Sequence, residues 1–248
     1  MRLFLLFLLL SILGPPAAAG GRTADVKVAV AANFTDTAKA LGTAFEKKTG
    51  HKIVYTFGAS GQFYAQIAHG APFEVFLSAD AERPQKLEAD GLTVAGSRFV
   101  YAYGKLVLWS ADKRVDRRGL ILAKGNFEKI AIADPAAAPY GIAAVETMKK
   151  MGLYDKLQPK IVKGSSISQT FTFVSTGAAE IGFIALSQAK VAKGGSMWLV
   201  PESHYTPIDQ QAVLLKTGAG NPAARAYLDF LKSPEAVRII RAYGYEVR

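Results

Sequence analysis

The chain has 248 residues, half of them hydrophobic, with no cysteine and a formal net charge of +10. That length and apolar content suffice for a large core in one or two domains, and the lack of cysteine excludes disulfides, thiol catalysis and thiolate metal sites. The basic residues are scattered as Lys47-Lys48, Lys113-Arg114, Arg117-Arg118 and Lys149-Lys150 without interleaved aromatics, so no nucleic-acid platform is indicated; solvated faces and steering of a small anion both account for them.

From the N-terminus, Arg2, the apolar run Leu3–Leu13, the break Gly14-Pro15-Pro16 and the small residues Ala17-Ala18-Ala19 read as an export signal over 1–24, cleaved near Ala19 or Ala24. The apolar run is too short to span a bilayer. The chain is therefore expected in the periplasm. Val26–Val30 reads as a strand, and a helix from Asn33 carries Ala40, Leu41, Ala44 and Phe45 at helical spacing up to Gly50. Strand Lys52–Phe57, a helix from Ser60 to about His69, strand Glu74–Leu77 and a helix near Pro84–Asp90 follow. After the strand Leu106–Trp109 the pattern restarts with strand Lys129–Ala133, a helix opened by Pro139-Tyr140-Gly141, strand Lys160–Val162, helix Gln169–Ser175 and strand Glu180–Ala185. Gln210–Leu215 returns as a strand before helices near Pro222–Leu231 and Pro234–Tyr243.

Strands alternating with helices imply an α/β fold with parallel strands and crossover helices. Two such runs with a C-terminal return suggest two lobes across a cleft: residues 25–105 plus 212–248, and residues 106–211. The crossings are expected near Gly104-Lys105-Leu106 and Gln211-Ala212. Ligands of such sheets bind beyond the carboxyl ends of the strands, and four uncharged turns fall there: Ala31–Phe34, Gly58–Gly61, Ala138–Gly141 and Ser165–Ser168. A turn that opens a helix aims unpaired N–H groups outward and favours an anion. Asn33, Ser60 and Ser166 are also ordinary capping residues, so one such turn proves nothing; four of like chemistry, two from each half, indicate an anion seat.

The chain resembles the periplasmic molybdate-binding proteins of ABC-type uptake systems, which have the two-lobed type II substrate-binding fold. The resemblance rests on Val30–Phe34, Gly58-Ala59-Ser60-Gly61, Tyr64–Ile67, Gly70-Ala71-Pro72 with Phe76–Asp80, Tyr103–Ser110, Asp134-Pro135 with Ala138–Gly141, Gly182-Phe183 and Arg241–Tyr245, in that order. It implies high-affinity capture of molybdate or tungstate and delivery to an inner-membrane permease, by a monomer with no cofactor, no catalytic residue and no bound metal cation, molybdenum entering only as its oxyanion. Carried over residue by residue, it implies ligand contacts from Asn33 and Ser60 in the first lobe and from the backbone N–H groups of Tyr140 and Ile167 in the second. Ala32, beside them, stands where some relatives have a hydroxyl, and Ala185 where some have a ligand-binding tyrosine. The Asn33 side-chain NH2 is then a candidate replacement donor.

Other readings have their own residues. Ser110–Lys113 and Ser187–Lys190 match S-x-x-K and Lys216-Thr217-Gly218 matches K-T-G, the marks of serine acyl-transfer enzymes, but S-D-N is absent and Ser60 is not in G-x-S-x-G. Sulfate or another tetrahedral oxyanion is the alternative ligand. An organic acid calls for an arginine clamp, and none lies in the four turns; a ferric site calls for paired tyrosines at the cleft, whereas Tyr243 and Tyr245 lie in the C-terminal segment.

Overall fold

The computed structural model describes residues 24–192 and 194–248; the signal expected over 1–24 lies outside them except for Ala24. In chain order the first run is β1 (Asp25–Ala31), α1 (Thr35–Thr49), β2 (Lys52–Gly58), α2 (Ser60–Ala68), β3 (Val75–Leu77), α3 (Glu82–Ala89) and β4 (Phe99–Gly104). The second is β5 (Leu106–Ser110), α4 (Ile121–Lys124), β6 (Ile130–Ala133), α5 (Pro139–Lys150), α6 (Tyr154–Leu157), β7 (Ile161–Gly164), α7 (Ile167–Ser175), β8 (Ile181–Ala185), α8 (Leu186–Val191) and β9 (Ser196–Leu199). The chain then closes with β10 (Ile208–Leu214), α9 (Pro222–Leu231) and α10 (Pro234–Ala242).

These strands form two five-stranded sheets, in the orders β2-β1-β3-β10-β4 and β7-β6-β8-β5-β9. Each has three parallel strands followed by an antiparallel one, β10 or β5, that enters from a crossing between the sheets. The layers follow from residue chemistry. Along β1 the alternate residues Val26, Val28 and Val30 pack with Leu41 and Phe45 of α1 and Tyr227 of α9, while Ala29 faces Phe63 and Leu87 on the opposite side. A parallel strand covered on both faces needs this continuous apolar run. In the second sheet Leu106 and Leu108 join Ile130, Ile132, Met148 and Phe183, and Val107 and Trp109 turn to Val174 and Ile184. Helix α1 stops where Gly50 takes φ 75°, its N–H bonding to the Glu46 carbonyl at 2.8 Å, a conformation glycine adopts without Cβ strain.

The first crossing falls at Lys105, between β4 and β5. The second differs from the sequence expectation. Gln211 and Ala212 lie inside β10, paired with Val100 and Phe99 of β4, and the connection between the sheets lies between Leu199 and Ile208. The strand expected over Gln210–Leu215 is present as part of β10, with Gln210 fully buried and its Oε1 accepting from Asn33 and Tyr101, side chains distant in sequence. The elements α4, α6, α8 and β9 had no counterpart in the sequence reading. None exceeds six residues, too short to express a helical period. Strand β9 alternates exposed Met197 and Leu199 around buried Trp198, so its apolar residues mark no single face.

Candidate functional site

Four parallel strands, β1, β2, β6 and β7, end in turns that open a helix. The turns meet across the cleft around a small cavity lined by Ala31, Ala32, Asn33, Gly58, Ala59, Ser60, Ala79, Ala138, Pro139, Tyr140 and Ile167. All five sequence-expected site residues, Ala32, Asn33, Ser60, Tyr140 and Ile167, line it. No lining side chain is charged. The N–H groups of Ser60, Tyr140 and Ile167 lie in the first turns of α2, α5 and α7, and that of Asn33 in the 3-10 turn leading into α1; such positions have no intrahelical acceptor and sit at the positive ends of the helix dipoles.

The hydroxyl groups separate caps from site donors. Ser166 is a cap, its Oγ accepting from the Gln169 N–H at 3.3 Å. Ser60 is not. Its Oγ accepts the Ala79 N–H at 2.9 Å while the residue is 1% exposed, which holds the rotamer and leaves the hydroxyl proton free to donate into the cavity. Asn33 is no cap either: its Nδ2 donates to Gln210 Oε1 at 2.7 Å and to the Tyr245 hydroxyl at 3.0 Å. Both amide protons are thus engaged within the protein, so the expected replacement for a hydroxyl at Ala32 is not made, which leaves the backbone N–H as the donor Asn33 can offer. Ala185 lies outside the lining, its N–H bonded to Gln188 Oε1 at 3.1 Å.

Beneath the cavity floor is a polar cluster that sequence reasoning missed. The Tyr101 hydroxyl donates toward Ser78 O and Gln210 Oε1, and Tyr245 OH lies 2.7 Å from the Asn33 carbonyl. The C-terminal segment therefore reaches the cleft, contrary to the expectation for Tyr245. Its partner Asn33 is 212 residues away in sequence, so no local pattern signals the contact. Burial above all, with neighbouring phenols second, pushes the Tyr101 and Tyr140 hydroxyls well above the ordinary tyrosine range, and burial does the same to Tyr245. All three stay neutral at physiological pH.

A wider cleft of about 790 Å³ adjoins the cavity but presents Asp80, Glu82, Glu146 and Asp209. Its sign is wrong for an anion. Asp80, next to the cavity-lining Ala79, is neutralised by an ion pair with Arg83 and accepts from Ser78 Oγ at 3.0 Å, so the small cavity experiences no net charge from that side chain. The acyl-transfer motifs form no constellation. Ser110 Oγ donates to the Glu180 carbonyl, Ser187 lies on α8, and Lys216-Thr217-Gly218 is a 3-10 turn.

Residues 26–246 match the family model described as bacterial extracellular solute-binding protein. The molybdate-binding protein ModA of Rhodobacter capsulatus is 60% identical over 231 residues, 93% of this chain and 90% of that protein. The chain belongs to the molybdate-binding protein family. Another member, ModA of Azotobacter vinelandii, is 54% identical over 232 residues, 92% of each chain. The solved structure of a periplasmic molybdate-binding protein from Azotobacter vinelandii superposes with a TM-score of 0.87 at 44% identity, covering 90% of this chain and 99% of that one. The sulfate-binding protein SubI of Mycobacterium tuberculosis, at 14% identity and a TM-score of 0.73 over 90% of this chain and 86% of that one, shares the fold alone. The family has the two-lobed α/β architecture seen in the two sheets, and its members are solute-binding proteins rather than enzymes.

Proposed function

We propose that the protein captures molybdate, and tungstate, between its lobes in the periplasm and delivers it to an ABC-type permease in the inner membrane. The observation that carries this reading is a cavity lined by first-turn N–H groups from both sheets and one oriented hydroxyl, without a charged side chain. Ala32, Asn33, Ser60, Tyr140 and Ile167 form the shell. A buried dianion is unfavourable unless its oxygens are fully hydrogen-bonded. Each bond to a charged group returns about 1.5–3 kcal/mol, and helix N-termini add about 0.3–1 kcal/mol apiece. Five such donors support a Kd on the order of micromolar or tighter after association costs.

Donors alone also select. Fully deprotonated tetrahedral oxyanions offer only acceptors, whereas protonated phosphate requires an acceptor that this shell lacks. Between molybdate and sulfate the discriminant is cavity size. Capture proceeds by closure: one lobe binds the anion, the other completes the shell, and the closed population rises. The lobes are residues 25–105 with 208–248, and 106–207, the second boundary set where β10 begins. The carrier acts as a monomer and reaches the periplasm through its N-terminal signal.

Isothermal titration with molybdate, tungstate, sulfate and phosphate in one buffer tests the reading. Saturable one-to-one binding of the first two, with little heat from the others, is the expected result. Preferential sulfate binding overturns the ligand and leaves the fold intact.

A further inference from the structure

The Ala32–Asn33 turn of the first lobe is held from the opposite lobe by two hydroxyls outside the five expected ligand contacts. Ser168, in the first turn of α7, donates to the Ala32 carbonyl at 3.2 Å, and Ser187, in the first turn of α8, donates to the Asn33 carbonyl at 2.9 Å. Within the first lobe, Thr35 Oγ1 adds a donor to the Ala32 carbonyl at 2.8 Å, and the Tyr245 hydroxyl joins Ser187 on that of Asn33. The Ala32 carbonyl and the Asn33 N–H belong to one peptide unit, so donors on the oxygen polarise that N–H. They also add a further donor to each of two carbonyl dipoles whose negative ends lie in the closed cleft, beside a dianion. Ser187 is 6% exposed and water does not readily replace it. Separating the lobes removes both serines from the turn and leaves Thr35 and Tyr245 in place.

We infer that Ser168 and Ser187 are positioning residues that grip the Ala32–Asn33 turn from the second lobe only when the lobes are closed, Ser168 strengthening the Asn33 N–H as an anion donor through the Ala32 carbonyl and Ser187 fixing the turn through the Asn33 carbonyl. Their effect falls on retention of the anion rather than on its capture, because the contacts form after the first lobe has bound. The inference rests on the oxyanion-binding reading for its ligand and on the interlobe hydrogen bonds for its geometry.

The test uses Ser168→Ala, Ser187→Ala and the double variant in the full chain, with Ser168→Thr as the hydroxyl-retaining control. Molybdate association and dissociation are followed by stopped-flow fluorescence, and the molybdate-saturated shape by small-angle X-ray scattering. Each alanine is expected to speed dissociation about three- to tenfold with association unchanged within about twofold, Ser168→Thr to restore the wild-type rate, and the molybdate-saturated double variant to scatter as a more open molecule than the saturated wild type. A merely structural role lowers the melting temperature without this split between the two rates. Wild-type dissociation rates in both alanine variants overturn the inference. If the wild-type chain binds no molybdate, the oxyanion reading itself fails; molybdate binding by the wild type with unchanged dissociation in the variants overturns the inference alone.

Discussion

Ser60 shows how one residue type serves two purposes. A serine before a helix is usually a cap, and Ser166 is one, but Ser60 sits one position too late and takes the Ala79 N–H instead. Its hydroxyl proton therefore has no part in capping the helix, which is what the proposed ligand role requires. Ser60→Ala is expected to weaken molybdate binding by about 1.5–3 kcal/mol, roughly ten- to a hundredfold in Kd, and to lower the melting temperature of the ligand-free protein, because the buried Ala79 N–H loses its acceptor; an unaltered titration removes Ser60 from the shell. Asn33 carries the opposite lesson. Its identity suits a ligand-facing amide, but Gln210 and Tyr245 arrive from distant parts of the chain and occupy both its protons. The cluster is imperfect, since Gln210 Nε2 and the Tyr140 hydroxyl are buried without partners. An unmet buried polar group of this kind typically costs about 1–3 kcal/mol, a burden placed next to the cavity rather than in the outer core.

Helix α5 must sit close on the end of β6 to bring the Tyr140 N–H to the cavity. Gly141 allows this approach: a Cβ there would stand 2.1 Å from the Ala133 carbonyl oxygen and 2.8 Å from its carbon, both backbone atoms that cannot swing aside. Gly141→Ala is expected to push the first turn of α5 outward and destabilise the fold by about 1–3 kcal/mol. Binding should weaken as well, because the displaced turn carries a donor. Thermal denaturation and titration together check this, and wild-type values in both would show that α5 has room to spare. Legibility at this scale followed the length of the elements. The long helices and the apolar strands could be read from period and from Gly and Pro punctuation, and Pro222–Leu231 matches residue for residue. The helical segment Leu186–Val191 was hidden because six residues carry under two helical turns. The second crossing was put inside the strand read over Gln210–Leu215, because nothing local shows that this strand already pairs with β3 and β4 of the first sheet.

At the scale of the whole molecule, the buried tyrosines set a limit of alkaline stability. Tyr101, Tyr140, Tyr227 and Tyr245 are each pushed above the ordinary value of 10.0, by burial first. The folded state therefore retains protons that the unfolded chain gives up above about pH 10, so unfolding releases protons there and stability falls as pH rises. Below about pH 10 the contribution is complete. Melting curves are expected to be level in this respect from about pH 7 to 9 and to drop beyond about pH 10 with release of more than one proton; an unchanged midpoint into that range would mean that these phenols ionise in place. Molybdate affinity should stay flat across neutral pH, since no donor in the shell titrates there.

The sequence by itself determined the alternation of strands and helices, the two-part organisation and the chemistry of four uncharged turns, because hydrophobic period, glycine punctuation and first-turn N–H groups are local properties. It also placed Ala32, Asn33, Ser60, Tyr140 and Ile167 at those turns. Only the tertiary structure decided that the turns from both sheets share one cavity, that the Asn33 amide turns inward to Gln210 and Tyr245, and that Ser168 and Ser187 reach across to the opposite lobe. Those contacts join residues from 136 to 212 positions apart. Their partners are selected by how the two lobes close on each other, and no local pattern of residues encodes that geometry.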